Sequence, residues 1–325
     1  MKRLYYFITI ACLGFLFLSC DDNTYSIPEG VTELSNDCIK RSLGPNLVGQ
    51  KIEFVYAMAL PYGSGKLVSA KVEASIAGAT GTYLEHKSYY TGSGGQDVGV
   101  EVGAPSVTHG RNTEVAFVAD TCAAALRYYY VIPEEARGQK VSFKFSATDS
   151  NGKLVTYEMG PYNISNMDIK LDIVLPNNSY FSISDMKTYT ATEAAANPEK
   201  IDFVYLFRTV RGVNFRHAFV SPDADTEYLP SITIPDGVNN STRIMKVYSS
   251  ADQQLARNEF GVFVDDLDLQ QINLQNSPNY IINLALNAAA WMETSDGKYR
   301  AYIYINKASD ISAGMTISIK RLQVK

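Results

Sequence analysis

Side chains that could do chemistry are sparse in this chain of 325 residues. The three histidines, His86, His109 and His217, form no HExxH, HxH or other close pair, so a metal hydrolase is not expected. The sequence also contains no GxSxG elbow, no P-loop and no GxGxxG that follows a strand. Glycosidase carboxylates come together only on folding and carry no sequence signature. We therefore expect a protein that is not an enzyme and that binds no cofactor.

One acidic run, Asp265-Asp266-Leu267-Asp268, offers carboxylate oxygens, which are ligands that calcium prefers. The run lacks the central glycine and the distal carboxylate of an EF-hand loop. The sequence therefore predicts no metal site, while calcium binding at this run stays open.

Aromatic rings are the remaining resource for binding a ligand, because the chain contains 22 Tyr, 14 Phe and one Trp. A sugar ring presents C–H groups on one face and hydroxyls around its rim. An exposed Trp or Tyr flanked by polar side chains can therefore bind it. Alternate residues of a strand face opposite sides, so at least one tyrosine of each Tyr run could be exposed. The candidate ligand-binding residues are Trp291, Tyr89, Tyr90 and Tyr129.

The position of Trp291 allows two interpretations. It is expected near the tip of a sandwich, between a strand that ends near Ala288 and the Asp296-Gly297 turn. The alternative, which the sequence favours, is a ring that plugs the core or the boundary between two domains.

The first twenty residues have the pattern of a secretory signal that ends in a lipid-attachment cysteine. Lys2 and Arg3 precede an apolar run from 4 to 18, which is too short for a helix that spans a bilayer. The tetrad Phe17-Leu18-Ser19-Cys20 resembles a bacterial lipobox, which implies cleavage before Cys20 and acylation of its thiol and new amino group. Several acyl chains would hold the mature chain on a membrane.

Two further cysteines, Cys38 and Cys122, remain in the mature chain beyond the anchor. They could form one disulfide in an oxidising compartment, which would close a loop of about 85 residues and stabilise the fold by up to about 4 to 5 kcal/mol. Two free thiols are the equal alternative. No CxxC pair or Cys/His cluster points to a metal.

The overall composition favours an all-β protein. Hydrophobic residues make up 46% of the chain and charged residues 19%, so the chain is neither disordered nor fibrous. Abundant Tyr and Phe fit the pleated, half-buried surface of a sheet. The net charge of −5 leaves no basic face to neutralise a phosphate backbone, so nucleic acid is not an expected partner.

Internal similarity predicts two related domains in tandem. Residues 51–56 (KIEFVY) recur as residues 200–205 (KIDFVY), and residues 167–171 resemble residues 315–319 at nearly the same offset. Several short strands in each copy, separated by frequent turn signals, predict an Ig-like β-sandwich for each domain.

Turn chemistry suggests how each copy closes. Asn151-Gly152 and Asp296-Gly297 suit type I′ hairpins, in which both central residues need positive φ. We expect the first of these turns to be followed by a last strand of the first domain at 167–175. The second turn is expected to join strands at 280–288 and 299–306.

The junction between the domains is expected in the turn-rich stretch 176–179. Apolar residues on both faces of Tyr302-Ile303-Tyr304-Ile305 indicate that a second layer covers this strand. Residues 192–197 are expected to form one helical turn before Pro198. The predicted organisation is a signal peptide (1–19), a lipidated tether (20–30), a first sandwich (31–176) and a second sandwich (177–325).

Together these features resemble the lipoproteins of gut Bacteroidota that occupy the SusE and SusF position. The features are the lipobox at Cys20, the Asp21-Asp22 pair after it, the tandem sandwiches and the sequence IDFVY at 201–205. The resemblance implies an outer-membrane protein, lipid-anchored and facing the cell exterior, that captures oligosaccharides or polysaccharides beside a SusC/SusD-like importer. It carries over no binding residue, because no position matches a defined ligand motif.

The leading hypothesis is therefore a non-catalytic glycan-binding lipoprotein of the cell surface. The alternative is a structural surface lipoprotein, such as a fimbrial subunit or an adhesin. Exposed, coplanar rings would favour the first hypothesis, and polymerisation would favour the second.

Overall fold

The computed structural model describes residues 32–248, 252, 255 and 264–325. The predicted signal peptide and tether, including Cys20, lie outside the described residues, so their assignment stays a prediction. No helix among the described residues is both long and apolar enough to cross a membrane.

The first domain is built from antiparallel strands. In chain order they are β1 (Ser35–Lys40), β2 (Lys51–Ala59), β3 (Leu67–Ala74), β4 (Tyr83–Leu84), β5 (Lys87–Thr91), β6 (Asp97–Glu101), β7 (Val107–His109), β8 (Asn112–Ala116), β9 (Ala123–Val131), β10 (Lys140–Asp149) and β11 (Leu154–Asn163). One sheet has the order β1-β2-β9-β4, and the facing sheet has the order β11-β10-β3-β8-β7. Strands β5 and β6 form a separate hairpin.

Strict alternation along the central strands makes this domain a sandwich. In β2, Ile52, Phe54, Tyr56 and Met58 point inward, and the residues between them face outward. The ring of Phe54 lies 4.8 Å from that of Phe143 in the facing sheet. The period of two therefore gives each sheet one buried face and one solvated face.

The second domain also pairs two antiparallel sheets. Its strands are β12 (Asp168–Leu175), β13 (Ser179–Ser182), β14 (Lys187–Tyr189), β15 (Phe203–Val210), β16 (Val213–Val220), β17 (Arg243–Val247), β18 (Tyr280–Leu284), β19 (Ala289–Glu293), β20 (Tyr299–Ser309) and β21 (Ser312–Gln323). The two sheet orders are β12-β21-β20-β19-β17 and β14-β13-β15-β16-β18. The expected all-β fold of two tandem Ig-like sandwiches is confirmed.

Helical structure is short. The α-helices are α1 (Ala191–Ala196) and α2 (Asp266–Gln271), and 3-10 turns occupy Glu134–Ala136, Pro198–Lys200 and Thr226–Tyr228. Helix α1 matches the turn expected before Pro198, and a capping box of Thr190 and Glu193 begins it.

The strand after the first hairpin, β12, belongs to the second domain and not, as expected from the sequence, to the first. Strand β12 pairs with β21, with Asp168 opposite Arg321 and Leu175 opposite Met315. Ile173 and Leu175 are buried in the core of the second domain, which explains the pairing. The likeness between 167–171 and 315–319 thus reflects two neighbouring strands of one sheet rather than equivalent ends of two domains.

The second predicted hairpin also differs from the structure. The Asp296-Gly297 turn joins β19 to β20, whereas β18 lies in the opposite sheet, next to β16. The separation has a physical reason, because residues 285–288 lie in a turn where Asn287 has a φ of 64°. The first hairpin, β10 to β11 around Asn151-Gly152, forms as expected. Neither turn is of the predicted type I′, because Gly152 and Gly297 have positive φ whereas Asn151 and Asp296 do not.

Strand β20 is buried on both faces, as its sequence predicted. Ala301, Ile303 and Ile305 point into the core of the second domain. The opposite face contributes to a second apolar group, which we call the inter-domain cluster. Its buried members are Leu47, Met167, Leu255, Val264, Leu269, Ala289, Tyr302, Tyr304 and Leu322, and Ile169, Val247, Trp291 and Val324 pack against them.

Polar contacts complete the junction between the domains. Asp168 binds Arg137 of the first domain at 2.9 Å and also forms an ion pair with Arg321. Asp266 accepts hydrogen bonds from the Ser165 hydroxyl and, at 3.1 Å, from the Asn166 amide. Leu47 adds an apolar contact from the first domain, so the two sandwiches are joined by apolar packing and by charge.

Asp202 is a buried carboxyl in the repeated KIDFVY segment. Burial raises its pKa to about 7, while the hydrogen bond from the Ile183 amide at 2.6 Å opposes the shift. In an unfolded chain the pKa of an Asp is about 3.9, so the unfolded state ionises first as pH rises. This group's contribution to stability is therefore complete below about pH 4 and is lost as pH rises through about 7.

We predict that Asp202→Asn stabilises the second domain at pH 8 and not at pH 4, because the amide removes the cost of burying a charge. The gain at pH 8 should reach up to about 4 kcal/mol, as expected for a pKa difference of about three units. Thermal unfolding at the two pH values measures it. Glu199→Gln, at an exposed position, is the control and should change little at either pH. An equal effect of Asp202→Asn at both pH values would contradict the assignment.

We also predict that Phe143→Ala destabilises the first domain by about 3 to 5 kcal/mol, because it opens a cavity among rings that touch in the core. Urea unfolding measures the loss. Tyr62→Ala is the matched aromatic control, since Tyr62 is 98% exposed, and it should shift stability by less than about 0.5 kcal/mol. Similar losses for the two variants would argue against this core.

Candidate functional site

The outer face of the β1-β2-β9-β4 sheet displays Tyr129, one of the tyrosines that the sequence marked as candidates. Along β9, Tyr128 and Tyr130 point into the core, and Tyr129 between them points outward and is half-buried. This alternation confirms that one tyrosine of the run faces away from the core. It makes Tyr129 the ring of that run that a ligand can reach.

Tyr129 forms a stacked pair with Tyr83, its partner across β4 and β9. The ring centroids are 4.9 Å apart and the planes differ by 26°. The Lys51 ammonium lies 5.3 Å from the Tyr129 ring and 5.9 Å from the Tyr83 ring. Burial raises the pKa of both tyrosines, so both hydroxyls are neutral donors at neutral pH.

Arg127 links this pair to the hairpin of β5 and β6. Its guanidinium lies 4.0 Å from the Tyr89 ring and forms an ion pair with Asp97. Burial opposes the charge on Arg127, but the hydrogen bond and charge of Asp97 outweigh burial and raise the pKa. The guanidinium therefore keeps its positive charge, which the Asp97 carboxylate balances, and it lies against the Tyr89 ring.

The hairpin positions Tyr89 through a glycine on the facing strand. Tyr89 is paired with Gly99, and a Cβ at Gly99 would lie only 3.0 Å from the Tyr89 ring. The ring can lie across the hairpin because position 99 has no side chain. Tyr90 points the opposite way and is 55% exposed.

We call the surface formed by Lys51, Tyr83, Tyr89, Arg127 and Tyr129 the tyrosine face. Next to it, a shallow cavity of about 380 Å³ lies between the hairpin and the sheet. Its lining residues are Ser35, Asn36, Ala57, Met58, Ala59, Ser88, Tyr89, Ala123, Ala124 and Ala125. The combination of ring faces, hydroxyls, a neutralised guanidinium and a groove suits a ligand with both apolar and hydroxylated faces.

The structure brings together Tyr89 and Tyr129 and separates the other two candidates from them. Trp291 lies in the middle of β19, between Met245 and Tyr302, and not near the tip of a sandwich. Its ring is 4.7 Å from that of Tyr302, tilted by 56°, within the inter-domain cluster. Trp291 therefore has the position of a plug at the domain boundary.

Cys38 and Cys122 are free thiols. Cys38 lies opposite Tyr56, whereas the Cys122 carbonyl accepts a hydrogen bond from the Leu60 amide. These positions are about 13 Å apart along β2, whereas a disulfide needs Cα atoms within about 7 Å. Burial, with the nearby charge of Asp37, raises the pKa of the Cys38 thiol to about 12.

The acidic run at 265–268 has a structural role in the described part of the chain. Asp265 caps α2 and accepts hydrogen bonds from the amides of Leu267 and Asp268. Asp266 holds the domain junction, as described above. No group of three or more His, Cys, Asp or Glu side chains among the described residues is placed to hold a metal ion.

His217 is a buried member of a hydrogen-bond chain. Its Nδ1 lies 2.7 Å from the Tyr205 hydroxyl, and its Nε2 lies 2.7 Å from the Ser309 carbonyl. The Tyr205 hydroxyl also accepts the Gly314 amide at 3.0 Å. Burial lowers the pKa of His217, so the imidazole is neutral and joins the tip of the β20–β21 hairpin to the other sheet.

Sequence reasoning missed Lys51, Tyr83 and Arg127 as members of the tyrosine face. A signal for Arg127 was present, because it stands two residues before Tyr129 and so shares its face of the strand. Lys51 precedes the repeated apolar pattern at an outward position. Tyr83 had no such signal, since β4 contains only two residues.

Both halves of the chain match known families. Residues 31–164 match the family described as Domain of unknown function (DUF4466). Residues 165–324 match the family described as Domain of unknown function (DUF8576). No curated protein matches the chain.

Comparison with solved structures gave distant matches as well as a near one. The major pilin subunit of Bacillus cereus is 12% identical over 48% of this chain and 50% of that chain, with a TM-score of 0.29. An Actinomyces fimbrial adhesin is 9% identical over 90% and 97%, with a TM-score of 0.28. Superpositions this poor support no conclusion about fold or function.

A DUF4466 family protein from Parabacteroides merdae ATCC 43184 is much more similar. It is 46% identical to this chain, and the match covers 91% of this chain and 100% of that chain, with a TM-score of 0.84. Identity at this level over nearly the whole length shows common descent as well as a common fold. The chain therefore belongs to the DUF4466 family.

Proposed function

We propose that this protein is a non-catalytic, lipid-anchored protein of the outer membrane that binds a glycan at the cell surface. The observation that carries the proposal is the tyrosine face, where the Tyr83–Tyr129 stack on the outer side of the β1-β2-β9-β4 sheet lies beside the Tyr89–Arg127 pair, which joins that sheet to the β5–β6 hairpin. Rings fixed by their neighbours bind a sugar face with little loss of conformational freedom.

The charges around this face favour a neutral glycan. Asp97 neutralises Arg127, and Glu53 lies opposite Tyr129 in the register of β2 and β9. Glu85 also acts on the Tyr129 hydroxyl through its charge. An anionic sugar would meet these carboxylates, whereas a neutral sugar would find hydroxyl and guanidinium donors at the edge of the rings.

The proposed anchor explains why such a surface would be useful. Acylated Cys20, followed by Asp21 and Asp22, would place the sandwiches outside the cell, where polysaccharides are met first. A relative from Parabacteroides, a member of the Bacteroidota, is consistent with this setting. We further propose that the protein delivers its ligand to a SusC/SusD-like importer, which co-purification from the native membrane would test.

We predict that Tyr89→Ala and Tyr129→Ala each weaken glycan binding about tenfold, since a loss of about 1.4 kcal/mol of stacking corresponds to that factor. Affinity gels and calorimetry with a broad polysaccharide panel measure binding. Tyr90→Ala and Tyr62→Ala are controls, because both rings lie off the tyrosine face. No binding to any polysaccharide would overturn the proposed function, and full binding by both test variants would overturn the site. Polymerisation of the purified protein would instead favour a structural role.

We predict that Cys20→Ala abolishes acylation and releases the protein from the membrane fraction, because no other anchor is proposed. Metabolic labelling with a palmitate analogue, followed by fractionation, measures both effects. Cys12→Ala is the matched control and should leave labelling intact, since residue 12 precedes the expected cleavage position. Protease treatment of intact cells then tests exposure to the exterior. A wild-type protein that takes up no label would contradict the anchor.

A further inference from the structure

Lys320 of β21 and Asp252 form an ion pair that is withdrawn from water. Their side chains are 0% and 1% exposed, whereas each other ion pair of the described residues keeps both partners more than 10% exposed. Lys320 Nζ donates to Asp252 Oδ2 and, at 3.0 Å, to the Val264 carbonyl. Asp252 Oδ2 also accepts the Val264 amide at 3.1 Å.

Most of the side chains packed around this pair are apolar. Lys320 lies between Tyr302 and Ile169 in the register of its sheet, and both belong to the inter-domain cluster or pack against it. Val264, whose backbone binds both side chains of the pair, is a buried member of the same cluster, as is Leu255. Two opposite charges held in such a place pay a large desolvation penalty, which reaction to a neutral group would remove.

We propose that Lys320 and Asp252 are joined by an intramolecular amide bond that forms after folding. The Lys320 ammonium gives a proton to the Asp252 carboxylate, and the neutral nitrogen attacks Cγ. As the C–N bond forms, the C–O bond of the protonated oxygen breaks, and that oxygen leaves as water with a second proton from the nitrogen. From an ammonium and a carboxylate, the products are one secondary amide and one water molecule, so no oxidant, reductant or other reactant is needed. This inference concerns the construction of the second domain and does not depend on glycan binding.

Three features of the structure favour this reaction. Burial lowers the pKa of Lys320, which increases the fraction of neutral amine that can act as a nucleophile, while the charges of Asp252, Asp265 and Asp268 oppose the shift. The fold holds the two groups in contact, which replaces an encounter between separate reactants. The apolar surroundings also keep bulk water away from the product amide.

The bond would fasten the cover of the inter-domain cluster to the last strand of the protein. Asp252 and Val264 come between β17 and α2 in the sequence, and Leu255 and Val264 belong to the apolar cluster on the outer face of the β12-β21-β20-β19-β17 sheet. With an amide bond in place, this cover could not separate from β21 even when the surrounding hydrogen bonds open.

The test is the intact mass of the purified full chain, measured in reductant so that disulfides do not contribute. We expect a deficit of about 18 Da, the mass of one water molecule, and a branched peptide that joins residues 252 and 320 after digestion. Lys320→Arg should restore the full mass, because a guanidinium does not form this bond. Asp252→Asn should lose about 17 Da as ammonia and give a product of the same mass as the wild type.

Lys200→Arg is the matched control. Lys200 also pairs with an aspartate, Asp185, but both of these side chains are partly exposed. The variant should keep the deficit. A succinimide at Asp296-Gly297 would give the same mass loss, but it would yield a linear peptide and would persist in Lys320→Arg. A wild-type chain of full mass, or one without the branched peptide, overturns the proposal whether or not the variants fold.

Discussion

A strand that is apolar on both faces must be covered twice, and this requirement shapes the second domain and its junction with the first. β20 gives Ala301, Ile303 and Ile305 to the core and turns Tyr302 and Tyr304 outward. Burying these two large rings from water is strongly favourable, so other parts of the chain must lie over them. The cover comes from the first domain through Leu47 and from residues around α2. The position of Trp291 and the burial of Lys320 both follow from this second layer.

The strands of the first domain are apolar on one face only, so the outer face of the β1-β2-β9-β4 sheet needs no cover. β2 and β9 alternate strictly, with one face in the core and the other toward solvent. Tyrosines on the solvated side are held by neighbours rather than by a core, with Tyr83 against Tyr129 and Arg127 against Tyr89. Their order comes from contacts within the surface. The two sandwiches thus differ in their outer faces. In the second domain the outer face of one sheet is covered at the domain junction, whereas in the first domain the outer face of the β1-β2-β9-β4 sheet is solvated.

The sequence predicted those features that depend on local patterns. Short strands between turn signals identified the sandwiches, the Asn-Gly pair identified the hairpin at 151–152, and apolar residues on both faces identified the double burial of β20. Pairing between distant strands was harder, because β12 is an amphipathic strand that would fit the edge of either domain. Its true place depends on Ile173 and Leu175 entering the second core, which only the assembled sheets reveal. The same limit applies to the site. Alternation along the strand could mark Tyr129 as an outward ring, but its stack with Tyr83 depends on a strand of only two residues.

If Cys20 is acylated as we propose, the position of the N-terminal edge strand β1 limits how far the first domain can lie from the membrane. A fully extended chain from Cys20 to Ser35 reaches at most about 54 Å. A tether of this length would keep the tyrosine face within a thin layer above the lipid headgroups. Diffusion within that layer is nearly two-dimensional, so a captured polymer would meet membrane-embedded neighbours at a local concentration far above that of a freely diffusing protein.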